Sequence, residues 1–452
     1  MVLMAIMLLV LVAIIGLAVD VGYVYVSYAR LRRAVDAAAL DAANQIKKNY
    51  SGADLERAAV QFLQLNDVND PSAEVRFCNP KAGFEAWHEP AMCPVGNELP
   101  RKLVAVKASS EVPTFFMSVL GFDTVTISAS AESEAASVEV ILVIDVSASQ
   151  AQLPPSGNNG DARADPYWCN NVNLGTAMEG GCLPFENVKT AALSFAKEGV
   201  DLEYDRIAII TFSRFATRTL ELTGRDNSKT AEDALDEIEL AIRGLQVEEL
   251  DVCPSDLDAE DPICRSYSDP AIGVPDPADE ASWSANFNGL LCPGQLFGTN
   301  ESACKTTNSG AGLLLANEML VETARKESTW VVIFLTDGRA NIGFRSDGTV
   351  ICPLAYATTC TDGLVSPYRD PLDPLYAPDD YARVAMNALF DNQVILFTIG
   401  QGNGVNQVET RDLLEYAQNH SSGNGASFFG SADDLNEIFE TISTQISTRI
   451  TR

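Results

Sequence analysis

The sequence predicts an α/β protein in three parts: a long hydrophobic N-terminal helix, a small α+β domain, and a doubly wound, mostly parallel-sheet domain. Three observations lead there. Residues 1–19 carry no charge and are almost wholly apolar. Residues 49–136 hold one helically spaced apolar stretch and several segments that alternate as half-buried strands do. From Val138 onward, continuous apolar runs alternate with helical spacing, the pattern of parallel strands covered on both faces. The expected domains are therefore 1–48, 49–136 and 137–452.

At 1.5 Å per residue, the uncharged run reaches about 28 Å as a helix, close to the thickness of a bilayer core. Asp20 follows, then Tyr23, Tyr25 and Tyr28, which suit a membrane interface. The helical pattern continues through the alanine-rich stretch from Ala29 to Leu40. The segment lacks the basic leading region and small-residue exit of a secretory signal. Its positive charges, Arg30, Arg32 and Arg33, all follow the apolar run, which by itself would place the C-terminal bulk in the cytoplasm. One reconciliation with the cysteines discussed below is a basic leader that was removed, or that this sequence does not include.

In the middle region Leu55–Leu65 reads as a helix, and Glu74–Phe77, Leu103–Ala108 and Thr124–Ala131 as strands. Phe115, Phe116 and Phe122 are expected to pack in its core. In the last region Val138–Ile144, Arg206–Phe212, Thr217–Leu222, Thr329–Leu335, Gln393–Ile399 and Ala426–Phe429 read as strands. Helical spacing covers Asn187–Ala196, Ala231–Ile242, Gly312–Ala324, Asp380–Phe390, Asp412–Ala417 and Asp433–Ile446. Such sheets bind ligands at the carboxyl ends of their strands, near a topological switch point.

Acidic residues number 62 against 31 basic, a net charge of −31. That sign argues against nucleic-acid binding and suits an extracellular medium. Ten cysteines, Cys78, Cys93, Cys169, Cys182, Cys253, Cys264, Cys292, Cys304, Cys352 and Cys360, fall into sequence-neighbour pairs without zinc spacing. Disulfides in an oxidising compartment fit them, with nearest-neighbour pairing expected. The chain's two histidines, His88 and His420, are isolated, and no nucleophile–base set, phosphate loop or zinc motif is present. An enzyme is not expected.

Three separated segments can be assembled into one metal site: Asp145-Val146-Ser147-Ala148-Ser149, Thr307-Asn308-Ser309-Gly310-Ala311-Gly312-Leu313 and Leu335-Thr336-Asp337-Gly338. Each ends a predicted strand or opens a predicted helix. Asp145, Ser147, Ser149, Thr307 and Asp337 offer two carboxylates and three hydroxyls, all oxygen donors. That set suits a hard divalent cation such as Mg²⁺ or Ca²⁺.

These positions, in this order and on these elements, resemble the metal-ion-dependent adhesion site of the von Willebrand factor A (VWA) family, a Rossmann-like fold. The resemblance implies that Ser147, Ser149 and one aspartate bind the ion directly, that Thr307 and the other aspartate do so directly or through water, and that a partner's carboxylate completes the shell. At the other end, Gly16-Leu17-Ala18-Val19-Asp20-Val21-Gly22 and Arg33-Ala34-Val35-Asp36-Ala37-Ala38-Ala39-Leu40 resemble the N-terminus of TadE/TadG-like proteins of tight-adherence (Tad) pilus systems. Val112-Pro113-Thr114-Phe115-Phe116 and Val125-Thr126-Ile127-Ser128-Ala129 are similar to the later part of that family's small, pilin-like domain. Ala5 stands where a type IV pilin has glutamate, so assembly by the usual pilin charge pairing is not expected.

Three insertions, 150–185, 247–305 and 339–378, adjoin the three metal segments and hold eight of the ten cysteines. They are expected to form a cross-linked canopy on the metal edge. Residues 248–280 carry eleven acidic side chains and one basic one. Asp256, Asp258, Glu260 and Asp261 match no EF-hand spacing, so a solvated acidic surface is expected. The leading expectation is a non-enzymatic protein at the cell surface. Its helix anchors it in a membrane or filament, and its VWA domain binds a protein ligand or receptor through the ion. The alternative is a repeated structural subunit of a Tad filament, touching other subunits or copies of itself through the helix and meeting the membrane at least transiently.

Overall fold

The computed structural model describes residues 2–44, 46, 52–66, 68, 72–78, 93, 101–152, 183–213, 215–226, 228–247, 307–340, 343–344, 350–351, 377–401, 408–420 and 425–450. The chain divides into two compact units. One comprises Met1–Ser137 with Arg225–Thr230 and Gln445–Arg452, the other Val138–Gly224 with Ala231–Thr444.

The first unit begins with α1 (Val2–Asn44), an unbroken helix of 43 residues. At 1.5 Å per residue it is about 65 Å long. Its two halves meet different surroundings. Leu31, Ala34, Val35, Ala38, Ala39, Ala42 and Ala43 recur every three or four residues and are buried. They face α2 (Gly52–Leu65), with its buried Leu55, Ala59 and Leu63, and an antiparallel sheet of β1 (Ser72–Phe77), β2 (Lys102–Pro113) and β3 (Thr124–Ala135). The strand order is β1-β2-β3, with Val106 opposite both Val75 and Ala131. The run of alanines lets the helix lie close on the sheet. The N-terminal half, from Leu3 to Val21, exposes large apolar side chains, and α1 is long and apolar enough to cross a membrane. Cys78 and Cys93 are joined in a disulfide that packs against Leu103. The other eight cysteines lie outside the described residues.

The expectation for the three phenylalanines fails. Phe115, Phe116 and Phe122 are 57%, 47% and 59% exposed. They sit in the β2–β3 connection around a 3-10 turn, Met117–Leu120, past the end of the sheet whose core face they were to fill.

The second unit opens with β4 (Val138–Asp145), every residue of which is buried. A two-residue ribbon, β5 (Ala151–Gln152) with β6 (Leu183–Pro184), precedes α3 (Phe185–Ser194) and a π turn, Phe195–Gly199. Then come β7 (Arg206–Phe212), β8 (Ala216–Thr223), α4 (Ala231–Arg243), α5 (Ser309–Thr323) and β9 (Thr329–Thr336). A second ribbon, β10 (Gly343–Phe344) with β11 (Val350–Ile351), is followed by α6 (Pro378–Asp391), β12 (Ile395–Gln401), α7 (Val408–His420), β13 (Ala426–Gly430) and α8 (Leu435–Ile450). The main sheet has the order β13-β12-β9-β4-β7-β8 and is parallel except for the β7–β8 edge pair. The chain leaves β4 toward β7 and β8, then returns to β9 on the other side. The switch point thus lies between the carboxyl ends of β4 and β9.

Alternate residues of the buried strands serve opposite faces. Ile141, Val143, Ile210, Phe212, Val332, Phe334 and Leu396 pack with Leu313, Leu320, Met386, Leu389 and Leu414 from α5, α6 and α7. Val140, Leu142, Ile209, Ile333, Phe397 and Ile399 are equally buried on the other face. There the ring of Phe195 meets Phe439 of α8 at 5.2 Å. The doubly wound, mostly parallel sheet expected from the sequence is therefore present. Three charged groups close its lower edge: the fully buried Glu139 carboxylate takes Arg206 at 2.8 and 3.0 Å and also pairs with Arg325.

A second buried carboxylate has a pH signature. Asp379 lies in the first turn of α6, 3.4 Å from Arg339. Burial pushes its carboxyl up to about 6, against the pull of Arg339 and Arg383. A raised carboxyl binds its proton more tightly folded than unfolded. Its contribution is therefore complete below the ordinary value of 3.8 and is lost as pH rises through about 6. The loss is about 3 kcal/mol. Urea titrations at stepped pH check this: the stability difference between Asp379→Asn and the parent should grow in the variant's favour from pH 4 to 7. A difference that stays flat would refute it.

Candidate functional site

Four strand ends and one helix start build the site. Asp145 is the last residue of β4, and its carboxylate is held from two sides. The Ser147 N–H donates to Oδ1 at 2.8 Å, and the Thr336 hydroxyl at the end of β9 donates to Oδ2 at 2.6 Å. The Asp337 N–H also donates to it. Val146 N–H donates to the Phe212 carbonyl at 2.9 Å, and Asn308 N–H to the Ser213 carbonyl at 2.7 Å. The end of β7 therefore fixes both the Asp145 loop and the Thr307 loop. Asn308 caps α5, its side-chain oxygen accepting from Ala311 N–H at 3.2 Å.

The structure brings all five predicted residues together. The Ser147 and Ser149 hydroxyls are 2.8 Å apart, Ser149 donates to Asp337 Oδ1 at 2.7 Å, and the Thr307 hydroxyl reaches Ser147 Oγ at 3.5 Å. Asp145, Ser147, Thr307 and Asp337 are buried, and Ser149 is half-buried. Burial pushes the Asp145 carboxyl up from its ordinary value, against the hydrogen bonds from Ser147, Thr336 and Asp337. Among the described residues, no lysine or arginine forms an ion pair with Asp145. A carboxylate so deeply desolvated is stabilised by a cation or by a proton. With three hydroxyls around it and a second carboxylate opposite, the donor set fits a hard divalent cation.

Helix α5 approaches this region on glycine. A Cβ at Gly312 would fall 2.9 Å from Val143 Cγ1 and 3.0 Å from Phe212 Cδ1. A side chain there would push the Thr307 loop away from the sheet.

Sequence reasoning missed Thr336, Asn308 and a buried amide pair. Gln401, at the end of β12, donates to Gln150 at 2.8 Å, and both side chains are fully buried. Asn308 carried a usable signal, a short polar residue just before an apolar helix. Thr336 and the two glutamines carried none. Of the three insertions, the two ribbons show where 150–185 and 339–378 leave the fold. Residues 153–182, 248–306 and 352–376, and with them the expected canopy, lie outside the described residues.

The comparisons with known proteins bear on both units. Residues 1–45 match the Flp pilus-assembly TadE/G-like family, and residues 31–132 match the Tad-like Flp pilus-assembly family. No curated protein matches the chain. Among solved structures, similarity is distant. The PilB minor pilin from Streptococcus sanguinis is 11% identical, covering 84% of this chain and 79% of that chain at a TM-score of 0.37. The vWF domain of the type V pili tip protein Mfa5 from Porphyromonas gingivalis is 11% identical, covering 70% and 97% at 0.37. Proximal thread matrix protein 1 from the mussel byssus is 14% identical, covering 69% and 47% at 0.34, so the chain spans about half that protein's length. Residues 1–132 are thus similar to the two Flp pilus-assembly families, and a doubly wound, mostly parallel sheet follows them.

Proposed function

We propose that the VWA-type domain binds a divalent cation, Mg²⁺ or Ca²⁺, through Asp145, Ser147, Ser149, Thr307 and Asp337, and uses it to hold a carboxylate of a protein ligand. The protein is then a non-enzymatic adhesion component. The observation that carries this reading is the convergence of three hydroxyls and two carboxylates from three distant segments on one point at the sheet's switch edge. A hard cation with open coordination positions accepts an anionic partner directly, while the buried ring of donors fixes where that partner docks. We also propose the division into 1–48, 49–136 and 137–452, and nearest-neighbour disulfides for the remaining eight cysteines.

A Tad pilus-related chain with an apolar N-terminal helix works at the cell surface, anchored in the membrane or assembled into a filament. The filament subunit remains the second reading. It is favoured by the large apolar side chains that α1 exposes between Leu3 and Val21, which many copies could bury together. Electron microscopy of shed surface material separates the two, since only the subunit reading requires the chain along the whole filament.

Calorimetric titration of the purified full chain with MgCl₂ and CaCl₂ tests the site. The parent should bind one ion, and Asp145→Asn should lose about a hundredfold in affinity. Ser149→Ala, at a half-buried and less structural position, should lose about tenfold. Adhesion that persists in EDTA and in both variants would end the proposal.

A further inference from the structure

The charged residue inside the apolar helix has a defined partner. Asp20 is 1% exposed. Its Oδ1 accepts the Phe115 N–H at 2.9 Å, and its Oδ2 accepts those of Phe116 and Met117 at 2.8 and 2.7 Å. These N–H groups open the 3-10 turn Met117–Leu120, so the carboxylate caps that turn from another element. One helical turn before Asp20, a Cβ on Gly16 would fall 2.6 Å from Phe116 Cγ and Cδ1, so the ring lies directly on the helix backbone. Almost one turn after it, Tyr23 meets Phe115 edge to face at 5.4 Å. Gly16, Asp20 and Tyr23 thus form a receptor on one face of α1 for the β2–β3 connection.

The connection is closed on itself. Thr114 N–H donates to Asp123 carbonyl at 3.0 Å, Phe122 N–H to Met117 carbonyl at 3.1 Å, and the Thr114 hydroxyl to the Phe122 carbonyl. Gly121 turns the chain at φ +91°. Residues 114–122 include no charged side chain. Beyond the three exposed phenylalanines, Val119 and Leu120 stand 84% and 76% exposed. Five large apolar side chains on a well-tied loop, displayed to solvent, need an apolar environment.

We propose that this loop is a second membrane-contacting element: it enters the headgroup–acyl boundary of a lipid bilayer beside α1, and Asp20 latches it at that depth. The sequence of chemistry along α1 selects lipid as the occupant. Residues 1–19 are uncharged, Tyr23, Tyr25 and Tyr28 follow, and Arg30, Arg32 and Arg33 come last. That is the order of bilayer core, interface and water. The loop is pinned between Gly16 and Tyr23, where core gives way to interface, and Leu17, Val19 and Val21 in the same stretch of α1 are exposed as well. Accepting three N–H bonds satisfies the Asp20 carboxylate without water. The loop then widens a single-helix anchor into a two-point contact. The proposal rests on the membrane form of the anchor, and its test separates the two.

The test uses the full chain in vesicles of phosphatidylethanolamine and phosphatidylglycerol, with tryptophan fluorescence read against phospholipids brominated near the headgroup or near the chain end. Leu120→Trp should be quenched about twofold more than the parent by lipid brominated near the headgroup, and little by lipid brominated near the chain end. Leu11→Trp should be quenched by the deeper label and reports insertion of α1. Quenching of Leu11→Trp without quenching of Leu120→Trp would overturn the proposal while leaving the anchor intact. Quenching of neither would overturn both. Emission of Leu120→Trp that shifts only as protein is concentrated in the bilayer, without quenching by lipid, would assign the face to a second copy and also overturn it. Asp20→Ala combined with Leu120→Trp should halve the headgroup-region quenching while Leu11→Trp is unchanged; an unaffected loop would remove Asp20 from the latch.

Discussion

Glu139→Ala lowers the stability of the C-terminal domain by about 3–5 kcal/mol, the cost of stripping one partner from a buried ion cluster. Glu139 is fully buried in the central strand and pairs with two arginines at once. Arg206 also donates to the Thr323 carbonyl at 3.1 Å, and Arg325 to the Tyr204 carbonyl at 2.8 Å. The cluster therefore ties the start of β4 to the start of β7 and to the turn between α5 and β9. Removing the carboxylate leaves two guanidinium groups facing each other with no anion between them. Replacing all three residues together, Glu139→Leu with Arg206→Met and Arg325→Met, should recover most of the loss, because no charge is then stranded. Urea denaturation followed by near-ultraviolet circular dichroism measures both. A single variant as stable as the parent would show that water reaches the cluster, contrary to the burial of Glu139.

Phe334→Ala costs a similar amount, about 3–5 kcal/mol. Phe334 lies in the second half of β9, fully buried, and its ring stacks on Phe212 with centroids 5.2 Å apart and planes 16° apart. The two strands that carry these rings flank β4 on opposite sides. The stack therefore bridges across the central strand, beneath the helices that cover this face. Truncation opens a cavity whose walls are sheet backbone and the well-packed helices α5 and α6, which collapse poorly into it. Phe334→Leu should cost less than half as much, since most of the volume is retained. Equal losses in the two variants would point to an altered strand rather than a cavity.

How much was legible beforehand follows from what sequence patterns can encode. β4 and β9 were readable because strands buried on both faces cannot alternate, and a continuous apolar run bounded by polar loops is what remains. The convergence of the five candidate residues was readable because each sits at an element end, where residue type rather than period carries the information. Helix α5 starts three residues earlier than its apolar spacing suggested. Asn308, Ser309 and Gly310 read as loop, yet they form a cap and a close helix–helix approach in which Gly310 faces Tyr381. β2 and β3 are longer than predicted because polar stretches with no apolar alternation of their own extend the ladder, Ser109-Ser110-Glu111 pairing with Thr126-Ile127-Ser128 and Glu132-Ser133-Glu134 with Leu103-Val104-Ala105. The three phenylalanines were misplaced for a more general reason. Hydrophobicity reports a preference to leave water, and a loop on the flank of an apolar helix satisfies that preference as well as a core does. Thr336, Gln150 and Gln401 escaped notice because a buried hydrogen bond between distant strand ends leaves no local trace.

The central position of β4 has a mechanical consequence. The chain enters this strand at Val138, with two residues between it and the end of β3, and leaves it at Asp145, the first residue of the candidate site. A pull between a partner held at that site and the anchored end of the chain would run along one strand. β4 is bonded on both sides by parallel ladders, to β7 and to β9. Traction along it loads the two rows of hydrogen bonds in shear, all of them at once, instead of peeling them open one by one. The strand that presents the first carboxylate is therefore also the element best placed to resist being drawn out under tension.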